Sequence, residues 1–123
     1  MITHPTAQAL VEGVASWLPV DGSASGFTLR VARNALEIAA RDMALGPAAD
    51  ARAAERLRAL LDLDGDRDSL DGILVDMIRT GRIAPDHPAL IAHMKACALD
   101  ALAIDQPRYA HELAQDHACP TCA

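Results

Sequence analysis

The chain has 123 residues, 51% of them hydrophobic and 23% charged, with a formal net charge of −6 at neutral pH. That is the length of one domain with room for a real core and the composition of an ordinary globular protein. The acidic balance argues against nucleic-acid binding, which wants a basic face, and no apolar run approaches the ~20 residues that a membrane-crossing helix needs.

Aromatic residues are confined to Trp17, Phe27 and Tyr109, while alanine is abundant and leucine is the main bulky residue. That mix favours closely packed helices over sheets, and no alternating run argues for a strand. The expected fold is all-α: a compact bundle of about five helices around a central second helix. Residues 1–110 are expected to form a single helical domain, and 111–123 a flexible C-terminal tail. The segment MITHPTAQAL lacks the basic and apolar regions of a secretory signal. The three cysteines, Cys97, Cys119 and Cys122, are an odd number that points to a reducing compartment. Together these predict a cytoplasmic protein.

The first helix is predicted from about Pro5 to Leu18, with Pro5 suited to the first turn. Positions 7, 10, 11, 14, 17 and 18 make its apolar stripe, which casts Trp17 as a core anchor. Pro19 ends it, and the loop VDGSASG lacks the spacing of a phosphate cradle. The second helix, Phe27 to Leu45, is apolar around most of its circumference, and Gly46-Pro47 is a strong stop signal.

One polar stripe interrupts that helix. Arg30, Arg33, Asn34, Glu37 and Arg41 fall within about a 100° arc. Positions 32, 35, 36, 39 and 43 lie opposite, and Phe27, Val31 and Ile38 fill one flank. Glu37 is four residues from both Arg33 and Arg41, so it can pair with either. The stripe admits three readings: a solvated charge ladder, a polar seam at a self-contact or partner contact where arginine's fork suits carboxylates, or a catalytic or anion site.

A third helix is expected from about Ala48 to Leu61, with Leu57, Leu60 and Leu61 inward and Arg52, Glu55, Arg56 and Arg58 on a solvated face. The acidic segment DLDGDRDSLDG follows. Asp62, Asp64 and Asp66 match the first three ligand positions of an EF-hand, but Arg67 replaces the required glycine and Ile73 the closing glutamate. The segment therefore reads as a link that caps the next helix through Asp68 or Ser69. That helix runs from about Ser69 to Thr80, closed by Gly81. The last long helix runs from about His87 to Asp105 and presents Leu90, Ile91, Met94, Cys97, Ala98, Ala101 and Leu102 on one face, so Cys97 reads as a small buried hydrophobe. His93 and Asp100 share its more polar side. After Pro107 a short helix at most is expected.

The tail holds the ligand-type residues His111, His117, Cys119 and Cys122. A CxxC with histidines fits tetrahedral zinc or a dithiol redox pair. No second ligand pair flanks a structured span, however, and no strand precedes the CxxC.

Two segments carry a family resemblance. RVARNALEIAARDMALGP, with Arg30, Val31, Ala32, Asn34, Ala35, Leu36 and Arg41, resembles the RVAxNALxxxxRE signature of a small bacterial family of unknown function; Asp42 stands where the family has glutamate. LDALAIDQPRY resembles its closing V-x-N-P-R/K-Y signature through Pro107, Arg108 and Tyr109, with Gln106 in place of asparagine. IRTGRI resembles the end of the family's middle helix. The resemblance spans about residues 5–110. It implies a gene neighbourhood of aminoglycoside-phosphotransferase-like kinases and acyl-CoA dehydrogenases, hence an accessory role in acyl-group metabolism, and it assigns no catalytic residue. The leading expectation is a non-catalytic, homo-oligomeric partner protein that binds through the Arg30/Arg33/Asn34/Glu37/Arg41 stripe, needs no cofactor and contacts neither nucleic acid nor membrane. The alternative is a small metal-binding or redox protein using the tail, with zinc as its metal. An enzyme with its site on the stripe is the third.

Overall fold

The computed structural model describes residues 5–117, without the side chains at 112 and 114–117. The fold is all-α. Five helices follow one another: α1 (Ala7–Trp17), α2 (Gly26–Leu61), α3 (Arg67–Arg79), α4 (Pro88–Asp105) and α5 (Pro107–His117). Among the described residues there is no strand. The chain divides into two compact units, Met1–Gly46 and Pro47–Ala123.

The helix starts follow from side-chain caps. Thr6 accepts the Ala9 N–H on its hydroxyl at 3.1 Å, opening α1. Ser25 accepts the Thr28 N–H at 3.1 Å, opening α2. Asp66, rather than Asp68 or Ser69, caps α3 by accepting the Ser69 N–H at 2.8 Å. The backbone and hydroxyl hydrogen bonds from Ser69 hold the Asp66 carboxyl below the usual carboxylate range. His87 opens α4 through its ring Nδ1, and Pro88 fills the first helical position.

The expected break at Gly46-Pro47 is absent. α2 runs through it as one helix of 36 residues. The physical reason is local. The crowding a proline imposes on its predecessor falls partly on that residue's Cβ, and Gly46 has none. The flanking sequence is rich in alanine, the best helix former. Pro47 is exposed, so the carbonyl it leaves without an N–H donor can reach water.

In the first unit, no residue of α1 is buried. The buried residues of α2 here are small or polar: Ala32, Ala39, Asp42 and Gly46. Trp17, expected as a core anchor, is 53% exposed, and Phe27 and Val31 of the expected apolar flank are exposed too. An apolar stripe shows that a side chain can be buried; with only one neighbouring helix in the unit, most of that stripe stays open.

The second unit has the leucine core. Leu57 and Leu61 of α2, Leu70 and Leu74 of α3, Ile83 of the following loop and Leu90 of α4 form one buried cluster, with Leu60, Met77 and Ile78 packed against it. α3 ends in a Schellman turn. The Arg82 N–H reaches the Met77 carbonyl at 2.9 Å and the Gly81 N–H reaches Ile78 at 3.1 Å. Gly81 takes φ +73° there, a conformation that glycine adopts without strain. The turn delivers Ile83 into the core.

α4 faces inward differently from its apolar pattern. The inward row is Leu90, His93, Cys97, Asp100 and Ile104, while Met94, Ala98 and Ala101 are exposed. α4 is apolar around most of its surface, so periodicity alone could not select the face. The arginines of α2 select it instead, as described next.

Candidate functional site

Two places bring side chains together. The first is the pair α1/α2 in the first unit. Leu18 lies beside Leu29, Ala32, Arg33, Leu36, Glu37 and Ala40, around a groove of ≈ 480 Å³. Ala7, Gln8, Val11 and Glu12 lie beside Met43, around a second opening of ≈ 520 Å³. The end of α1 thus meets the start of α2 and the start of α1 meets Met43, so the two helices are antiparallel. Leu29, Leu36 and Met43 recur every seven residues and stay exposed, Leu36 at 43% and Met43 at 61%. On the α1 side Val11 and Leu18 are also seven apart. The pair therefore presents an apolar seam with the heptad spacing of helix–helix packing.

The predicted stripe flanks this seam. Arg30, Arg33, Asn34 and Glu37 are exposed and Arg41 is half-buried. Arg33 donates from Nε to Glu37 Oε1 at 2.9 Å, as the spacing predicted. With these side chains 81% and 47% exposed, the pair contributes at most a few tenths of a kcal/mol. The five stripe side chains include no nucleophile.

The second place is a polar cluster between α2, α3 and α4 of the second unit. The sequence pattern places Arg52 and Arg56 on a solvated face. Instead Arg52 donates to Asp100 at 2.8 Å. Arg56 lies 3.8 Å from the other Asp100 oxygen, donates from Nε to His93 Nδ1 at 3.4 Å, and lies 3.6 Å from Cys97 Sγ. Arg67 of α3 pairs with Asp50 of α2 and lies 3.4 Å from Asp71. Burial alone would make the Arg67 guanidinium easier to deprotonate; Asp50 and Asp71 outweigh it and hold the charge more firmly than usual. The signal in the sequence was the i, i+4 pair Arg52/Arg56 matched to the His93/Asp100 spacing on α4.

His93 is 3% exposed. Burial, and then the neighbouring Arg56 charge, push its imidazole below its ordinary pKa of 6.5, against a smaller opposing pull from Asp71. The ring is thus held neutral, accepting from Arg56 at Nδ1. Cys97, expected as a buried hydrophobe, is half-buried with its sulfur 3.7 Å from His93 Nε2 and 3.9 Å from Nδ1. A thiol beside an imidazole is the start of a nucleophile–base pair. Both residues sit in the interior of α4, however, where backbone N–H groups are committed to the helix and leave no amide pair for an oxyanion. The cluster is charge-matched and ties α4 and α3 to α2.

Of the tail residues, His111 is exposed on α5. Cys119, Cys122 and the side chain of His117 lie outside the described residues. Among the described residues no group of three His, Cys, Asp or Glu side chains is placed to hold a metal ion, and no helix is long and apolar enough to cross a membrane.

No curated protein and no solved structure matches the chain. A family model, that of a domain of unknown function designated DUF6285, matches residues 20–109. The match takes in the polar stripe, the exposed row of α2 and the whole Arg52–Arg56–His93–Cys97–Asp100 cluster. The chain belongs to the DUF6285 family.

Proposed function

We propose that this chain is a non-catalytic bacterial accessory protein, acting in the cytoplasm, that docks through its first unit beside a kinase-like enzyme of acyl-CoA metabolism. One observation carries the docking part. The first unit buries only small or polar residues of α2 and none of α1, while leaving Trp17, Phe27, Leu29, Leu36 and Met43 exposed. Exposed apolar side chains gathered on one small unit and rimmed by charges mark an interaction surface. The stripe Arg30/Arg33/Asn34/Glu37/Arg41 supplies that rim. The kind of enzyme is what the family resemblance implies.

The test is a native pull-down of the tagged protein from its host, with mass spectrometry of the eluate. A stoichiometric kinase-like or acyl-CoA dehydrogenase partner is expected, lost with Glu37→Ala combined with Arg41→Ala at unchanged helicity. Capture of such an enzyme untouched by that variant removes the stripe from the interface. Elution of the protein without any such enzyme removes the accessory role.

A further inference from the structure

We draw no further inference here: the strongest candidate, the apolar seam of Leu29, Leu36 and Met43 beside α1, belongs to the docking surface already described, and nothing in the structure shows what covers it.

Discussion

Leu36 and Leu57 lie on the same helix, yet they should respond very differently to the same truncation. Leu57 is wholly buried in the leucine cluster of the second unit. Replacing it with alanine forfeits about 2.4 kcal/mol of transfer free energy, at ~0.8 kcal/mol for each CH₂. The void is walled by three helices whose hydrogen-bonded backbones cannot collapse into it. The expected total loss is therefore about 3–4 kcal/mol. Leu36 keeps 43% of its surface exposed and closes no cavity. Its truncation should cost the single chain about 1 kcal/mol or less. The assay is urea unfolding at concentrations low enough to prevent association. Helical circular dichroism reports the whole chain and the fluorescence of Trp17, the single tryptophan, reports the first unit. Equal losses for the two variants would refute the reasoning, because Leu36 would then be a core residue and the groove a closed surface.

The buried His93 makes stability depend on pH. Its folded pKa lies below the ordinary 6.5, so in the window beneath 6.5 the unfolded chain binds the extra proton first. Stability is complete above that window and falls as the pH drops through it, by up to about 1.4 kcal/mol per pH unit; His93→Gln should flatten this slope in urea titrations from neutral to mildly acidic pH. Arg67→Met leaves Asp50 and Asp71 without their shared cation. Both carboxylates are partly exposed, so the expected loss is about 1 kcal/mol, shrinking in high salt. The same substitution should act with opposite signs at two glycines of the second unit. Gly72→Ala, inside α3 with open space around it, should stabilise by about 0.5–1 kcal/mol. Gly81→Ala, at φ +73°, should cost about 1 kcal/mol, and thermal melts of the two proteins side by side give the comparison.

Helix content was legible because it depends on local preference: alanine and leucine throughout, Pro88 in a first turn, and Gly81 closing α3. What the sequence concealed depended on choices between neighbours. Gly46-Pro47 carries every mark of a stop, and only the missing Cβ of Gly46 and the alanines around it let α2 continue. Met94 fits an apolar stripe on α4 as well as Leu90 does, and the inward face was decided by Arg52 and Arg56 reaching Asp100, His93 and Cys97 across the second unit. Arg33 and Glu37 were readable as a pair because their partnership is intrahelical. The apolar seam beside them was not, since Leu29, Leu36 and Met43 look like core residues until it is clear that only one other helix shares their unit.

The uninterrupted course of α2 has a consequence for how the chain opens. Pro47 brings no N–H to the carbonyl one turn before it, so the hydrogen-bond ladder of α2 lacks a rung where the two units divide. Cooperative opening runs along intact ladders and through buried contacts. Residues 26–46 have a row of small buried residues and one missing rung behind them, whereas residues 48–61 are held by the leucine cluster and the arginine pairs. Amide exchange along α2 is therefore expected to be faster over residues 26–46 than over residues 48–61. The weaker stretch can exchange its amides, or repack around an incoming helix, while the stronger one keeps its register.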